Sequence, residues 1–399
     1  MATLNPLIVG VGMSQFGRQP DVTLKQLAAT AAKAALADAR IGLEVLEAVF
    51  AANAGAGLIT GQESVRGQVS LKDAGIGGAP LFNVENACAS GSSAVHLAVQ
   101  YIRAGAAQCV LAIGYEKMVV EDRMAPFRAL EACSDVEEVA ALKARLAPGS
   151  NRSIFMDSYA MKVNKYFAAS KGGSVKHIAA IAAKNHSNGV LNPYAQFRKA
   201  QTVASVLASR PIVDPLTLLM CSPISDGAAA VVIASPEWAR ARGLDGPEIA
   251  ATAIRSDSFK AEWSQIHDTA LQAFRAAGIG PQDIQVAEVH DGTSAGELLA
   301  YEELGLAPRG EGWKLVDEGA TGLGGRVPVN PSGGLLARGH PLGATGTAQI
   351  CELTWQLRGA AGERQVKGAR VAVAQCSGGQ ASFGKTSGSA AMSVMVLRA

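Results

Sequence analysis

The chain has 399 residues, 48% of them apolar and only 18% charged, and its 36 Lys and Arg nearly balance 34 Asp and Glu for a formal charge of +2. That balance argues against a dedicated nucleic-acid binder, which carries a marked basic excess, and no apolar run reaches the roughly 18 residues of a membrane span. No basic residue precedes the first apolar stretch, so no secretory signal is expected. What remains is a cytoplasmic enzyme or binding protein of two or three domains, its six cysteines reduced and none at the CxxC spacing of a zinc site.

In chain order, Leu7–Gly12 reads as a buried strand, and Leu24, Leu27, Ala28, Ala31 and Ala35 follow at helical spacing. Strands are expected at Ala48–Ala51, Leu81–Glu85 and Cys109–Ile113, with a helix over Ala89–Ala104 and a closing strand at Ala228–Ala234. The pattern then repeats: strand Ile249–Asp257, helix His267–Ala277, strand Val286–His290, helix Ala295–Leu304, a helix from Ala344 to Leu357, and strands Val371–Gln375 and Ala390–Leu397. Both halves read β-α-β-α-β-α-β-β, which implies sheets with helices on their faces. The first half is residues 1–116 and 227–246, and the second is 247–399. Residues 117–226 form an inserted subdomain, with a helical pattern at Ser174–Asn188 and turns at Asn192-Pro193 and Asp214-Pro215. Its place beside the strand ends suggests a substrate cover.

Four places could carry chemistry. Cys88 lies between a strand and a helix start, where the helix dipole is expected to lower a thiol pKa; a passive buried cysteine is the plain alternative. Gly339-His340-Pro341-Leu342-Gly343-Ala344-Thr345-Gly346 holds the matching place in the second half, so a pseudo-twofold would bring His340 to Cys88 as a base to an activated nucleophile. His290-Asp291-Gly292-Thr293-Ser294 ends a strand, where His290 could hold an oxyanion, although Asp291, Thr293 or Ser294 could equally cap the next helix. Cys376-Ser377-Gly378-Gly379 pairs a second thiol with glycines that admit close backbone approach.

Asn86-Ala87-Cys88-Ala89-Ser90-Gly91, the Gly339–Gly346 run and Cys376-Ser377-Gly378-Gly379, in that order on a duplicated chain, resemble the three active-site blocks of the thiolase superfamily. The resemblance spans the whole chain, from Ile8–Gly12 through Ser225–Ala230. The sterol carrier protein-type branch fits best: His290-Asp291 is similar to its HDCF block, and Leu191–Arg198 to a stretch of that branch. The chain departs at position 292, where that block has cysteine and this sequence has Gly292, while the last block keeps Cys376. The resemblance implies a five-layered αβαβα fold and ping-pong acyl transfer from an acyl-CoA, with reversible Claisen condensation or thiolytic cleavage. Coenzyme A thioester would be the substrate, with no permanently bound cofactor and no metal. By the same resemblance Cys88 is the nucleophile and His340 its base. His290 helps hold an enolate oxygen, and Cys376 exchanges the α-proton. The backbone N–H groups of Cys88 and Gly378 form the second oxyanion hole. A homodimer or tetramer is implied, with Leu81–Glu85 at the contact.

Other readings have their own marks. Gly292-Thr293-Ser294-Ala295-Gly296 matches the GxSxG of serine hydrolases. Cys88 with two histidines is similar to decarboxylating ketoacyl synthases, though those need no carbon base such as Cys376. An acyltransferase or C–C lyase of thiolase fold, acting on a non-CoA acceptor or steroid-type side chain with a small OB-fold partner, is the alternative function, and a lipid-binding scaffold is the non-enzymatic one. Gly10-Val11-Gly12 is a weak dinucleotide motif, because Gln15 takes the third glycine position. Arg198 and Lys199 are candidates for CoA phosphates or plain solvated charges.

Overall fold

The computed structural model describes residues 5–146, 152–260, 264–382 and 388–399. Among these residues the strands are β1 (Leu7–Met13), β2 (Ala48–Ala52), β3 (Leu81–Val84), β4 (Cys109–Glu116), β5 (Pro211–Val213), β6 (Leu216–Thr217), β7 (Gly227–Ala234), β8 (Glu248–Ser256), β9 (Val286–Glu288), β10 (Val371–Gly378) and β11 (Ala391–Arg398). Nine of them form a sheet in the order β3-β2-β4-β7-β1-β8-β11-β10-β9. The order mirrors itself about the β1–β8 seam, which is the pseudo-twofold the repeat predicted. Only one pair, Leu7 opposite Glu248, joins the two halves there, flanked by Ile8 N–H to Pro247 O and Ile249 N–H to Pro6 O bonds. The third strand expected in the second half shrinks to a single bridge between Ala287 and Val329.

Period-two patterning sorts the layers. In β7, Ala228, Ala230, Val232 and Ala234 face helix Leu24–Ala39, while Ala229, Val231 and Ile233 face the molecular centre. In β11, Met395 and Leu397 face the centre, and Val394 and Val396 pack outward with helix Gln265–Ala277. Helices Ser90–Arg103 and Thr345–Arg358 fill the centre between the two half-sheets. This gives the five layers αβαβα. Gly10 and Gly12 belong to this packing: a Cβ at Gly10 would lie 2.3 Å from Ala35 O, and one at Gly12 2.4 Å from Ala35 N. The glycines let helix Leu24–Ala39 lie on the strand, which accounts for them without a nucleotide.

The two central helices start against each other. A Cβ on Gly91 would sit 2.7 Å from Gly343 O, and one on Gly346 would sit 2.3 Å from Ser92 N. Small residues here let the N-termini cross closely, and that crossing brings the Cys88 and His340 loops together.

Between β4 and β7 the chain forms helices that include Ile154–Ala169 and Val175–Val190, and the hairpin β5–β6 with Asp214-Pro215 at its turn. The ends of this segment are tied by a buried Lys117–Asp226 ion pair of 2.9 Å, and Asp226 also accepts from the N–H groups of Met118 and Val119. Among the described residues no helix is long and apolar enough to cross a membrane.

Candidate active site

Cys88 sits in a single 3-10 turn, Ala87–Ala89, between β3 and helix Ser90–Arg103. Ala87 holds a left-handed φ of 49°, a conformation that costs a non-glycine residue about 1–3 kcal/mol and survives only where its surroundings enforce it. Here they do. The Ser90 hydroxyl donates to Ala87 O and accepts from Asn86 N–H, and Ala87 N–H donates to Glu85. From the other side, the end of β10 presses on the turn, where a Cβ on Gly378 would lie 2.0 Å from Asn86 O. The N–H that meets the Cys88 sulfur is that of Gly379, one residue beyond the Gly378 singled out in the sequence.

His340 lies at the mouth of the second-half crossing. Its Nδ1 is 2.8 Å from Thr345 Oγ1, and that hydroxyl donates its own proton to Pro341 O. The hydrogen-bond network therefore assigns the Nδ1–H tautomer and leaves Nε2 as an acceptor. His290, just past β9, meets the His340 ring edge-on, with centroids 5.1 Å apart and planes at 85°. One ligand-capable atom from each of Cys88, His290 and His340 lies within 4.8 Å of the others, the only set so spaced for a metal ion among the described residues. The same convergence suits a nucleophile, its base and an oxyanion donor.

Burial decides the protonation states. It pushes the Cys88 thiol well above its ordinary value, helped by Cys133, Cys376 and Glu116 and opposed by the Gly379 N–H. This corrects the expectation of a lowered thiol: desolvation of a thiolate outweighs the helix start. His340 is held well below the ordinary histidine range by burial, then by His290 and Arg338, and burial takes His290 down to about 4. The resting pair is neutral thiol and neutral imidazole.

Cys376 on β10 is 1% exposed, with its thiol pushed up to about 12 by burial. Its Sγ donates to Cys88 O at 3.3 Å and lies 3.7 Å from His290 Nδ1. It stands behind the nucleophile and does not line the cavity, whereas its neighbours Ser377 and Gly379 do.

That cavity has a volume of about 520 Å³ and is mostly apolar, with Cys88, His290 and His340 on its wall and the inserted segment as its cover. Arg210 of the insertion lines it, whereas Arg198 and Lys199 are exposed elsewhere. Ser294 is fully buried and does not line it, so the GxSxG match has no accessible hydroxyl. None of the three expected caps forms on helix Ser294–Glu303 by a side-chain bond; Asp291 instead accepts from Leu335 and Leu336 N–H.

Several residues that hold the site escaped sequence reading. Glu116, at the end of β4, accepts from the N–H groups of Ala54, Gly55 and Gly343, tying the His340 loop to the first half. Glu288, two before His290, pairs at 3.1 Å with fully buried Arg338, two before His340. In the Leu191–Arg198 stretch, Asn192 donates to Ser332 O, Gln196 and Phe197 N–H donate to Arg338 O and Ala337 O, and Gln196 meets Ser225, whose hydroxyl accepts from His340 N–H. That stretch is a cradle for the histidine loop.

Two family models match: "Thiolase, N-terminal domain" over residues 7–237 and "Thiolase C-terminal domain-like" over residues 251–387. The chain is 38% identical over 393 residues to "Sterol carrier protein 2" of Rattus norvegicus, covering 92% of this chain and 68% of that protein. It is 38% identical to "Acetyl-CoA acetyltransferase" of Methanothermobacter thermautotrophicus, covering 93% and 96%, and 36% identical to "Benzoylsuccinyl-CoA thiolase subunit BbsB" of Thauera aromatica, covering 93% and 94%. Among solved structures it matches an "Ltp2-ChsH2(DUF35) aldolase" with TM-score 0.81 at 24% identity, covering 100% of this chain and 99% of that one. It matches human mitochondrial 3-ketoacyl-CoA thiolase with TM-score 0.74 at 18% identity, covering both chains fully. At such identities these structures speak for the fold.

Proposed function

The chain belongs to the thiolase superfamily, and from that premise we propose that it passes an acyl group from an acyl-CoA through a Cys88 thioester and makes or breaks a carbon–carbon bond beside a 3-oxo group. The observation that carries this reading is the meeting of Cys88, His290 and His340 within 4.8 Å on the wall of one cavity.

Neutral His340 has a free Nε2 to take the Cys88 proton as the sulfur attacks the thioester carbonyl, so charge separates only when substrate is present. The backbone N–H of Cys88 and that of Gly379, which meets its sulfur where the sequence pointed to Gly378, hold the tetrahedral oxyanion, and CoA leaves with a proton returned from His340. For condensation, a second acyl-CoA enters and its carbonyl oxygen faces His290 and His340. Cys376 first gives its thiol proton to His290, 3.7 Å away, and the thiolate takes the α-proton as it turns from Cys88 O toward the cavity; the imidazolium proton goes back to the Cys88 sulfur when the carbon–carbon bond has formed. The resulting carbanion attacks the Cys88 thioester, and thiolysis is the reverse.

The cavity falls within the size range of small-molecule sites, about 300–1,000 Å³, and its apolar wall suits an acyl chain with the pantetheine arm. Arg210, exposed at the cavity, is our candidate to meet a CoA phosphate; Arg152 and Lys162 line the same cavity. Coenzyme A enters as substrate. Relatives named as an acetyl-CoA acetyltransferase and a benzoylsuccinyl-CoA thiolase subunit support a CoA thioester.

The test is incubation with acyl-CoAs from acetyl to long-chain, followed by intact and peptide mass spectrometry. One acyl group on Cys88 is expected, and none in Cys88→Ala. Acyl label on another residue, or on none across the series, would sink the reading.

A further inference from the structure

Gly292 lines the cavity one residue beyond Asp291, on the loop that carries His290. A Cβ at 292 would lie 2.9 Å from the Tyr159 phenolic oxygen and 3.2 Å from Cε2, and a Cβ at 296 would lie 3.0 Å from Tyr159 Cε1. Two glycines four residues apart therefore make a notch for one aromatic ring. Tyr159 comes from helix Ile154–Ala169 of the inserted segment. The residue before it, Ser158, donates to Gln380 just past β10 at 3.0 Å, which fixes that helix against the site. Tyr159 lines the same cavity as Cys88, His290 and His340. Burial holds its phenol above the ordinary range, followed by the influence of Cys88, Asp291 and Cys376. It is therefore a protonated donor throughout the neutral range.

A side chain at 292 and the Tyr159 hydroxyl compete for one volume. We propose that Tyr159 is a catalytic hydrogen-bond donor, its phenol seated in the Gly292–Gly296 notch beside His290 and directed at the enolate oxygen that forms on the second acyl thioester. The proposal rests on the thiolase-type reading above. In the step it assists, the α C–H electron pair becomes the new C=C bond, the carbonyl π pair moves onto oxygen, and the proton goes to the base. The phenol keeps its own proton, so nothing further is consumed. A donor aimed at developing oxyanion charge contributes more in the transition state than in the bound ground state.

The experiment measures two readouts on the intact protein in D₂O with acetyl-CoA and octanoyl-CoA: acylation of Cys88, and deuterium uptake at the thioester α-carbon. In Tyr159→Phe, acylation should stay close to wild type while exchange falls about 100-fold, the usual loss for one oxyanion donor. Gly292→Ala places a methyl against the phenol and should lower exchange in the same selective way. In the double variant the losses should fail to add, because both act on one hydroxyl. Normal exchange in Tyr159→Phe, or equal loss of exchange and acylation in both single variants, would overturn the proposal. A wild-type protein that acylates on neither thioester removes the thiolase reading, and the Tyr159 role with it, whereas acylation with normal exchange in Tyr159→Phe removes only the latter.

Discussion

At the scale of single residues, the site is arranged to stay uncharged until substrate arrives. Cys88 is pushed above its ordinary 9.0 and His340 well below 6.5, so each disfavours its own charged form and proton transfer waits for the thioester. Alkylation of Cys88 by iodoacetamide should therefore keep rising with pH through 9.0. A plateau below pH 8 would mean a resting thiolate–imidazolium pair. The sign for histidine runs the other way: a lowered pKa keeps the base form to lower pH. The acylation rate should then show no acid limb centred at 6.5, and a limb there in a pre-steady-state profile would contradict the assignment. Cys376 has a separable part. Cys376→Ser should leave Cys88 acylation in place and slow carbon–carbon bond formation, since one positioned acid–base group contributes about 10²–10⁴-fold. Equal loss in both half-reactions would make Cys376 structural.

At the scale of elements, the two histidine loops are clamped as a unit. Glu288 and Arg338 pair two residues before His290 and His340, Ser332 donates to Glu288, and Asp291 accepts from Leu335 N–H. Arg338→Met leaves Glu288 buried without its cation, and breaking a buried pair from one side costs about 3–5 kcal/mol. Chemical denaturation should register a loss of that size; a change under 1 kcal/mol would mean that the pair is not holding the loops. What the sequence could and could not reveal follows the same division. Strands such as β7 and β11 and helices such as Gln265–Ala277 were legible to within a few residues, because their apolar period repeats over a whole element. Cys88, His340 and Cys376 stood out because each lies in a glycine-marked block. Glu116, Arg338 and Tyr159 have no such signature. Each is a single residue whose partner is far along the chain, 227 positions in the case of Glu116 and Gly343. Only the fold shows that Gly292 is the space Tyr159 fills. The Cys88 thiol departs from the sequence expectation for a related reason, since a helix start is visible in sequence and the depth of burial is not.

At the scale of the whole molecule, the edge of the sheet nearest the nucleophile is left open. Among the described residues β3 pairs only with β2, and an unpaired strand edge is a template for another chain unless something covers it. Its Phe82 is 41% exposed and stacks on Phe50 with centroids 5.1 Å apart, Tyr101 meets Phe82 edge-on, and Leu97, one helical turn before Tyr101, is 43% exposed. An exposed apolar patch beside a free strand edge fits a second copy of the chain, and closed twofold dimers are the commonest such arrangement. We therefore expect a homodimer joined through β3, with an interface of about 2,000 Å² or more if it is obligate. The consequence for chemistry follows from the chain path. β3 ends at Val84, and the left-handed Ala87 that sets up Cys88 comes three residues later. Pairing of β3 across a dimer would stiffen the support of that strained turn, so dissociation should slow acylation as well as halve the mass. Phe82→Asp with Leu97→Asp places charge on the patch without touching the cavity wall. Light scattering should then read a monomer, and acylation of Cys88 should fall with the dimer fraction across a dilution series. A wild-type protein that is monomeric and fully active at micromolar concentration would refute the dimer, and a variant that stays dimeric would place the contact elsewhere.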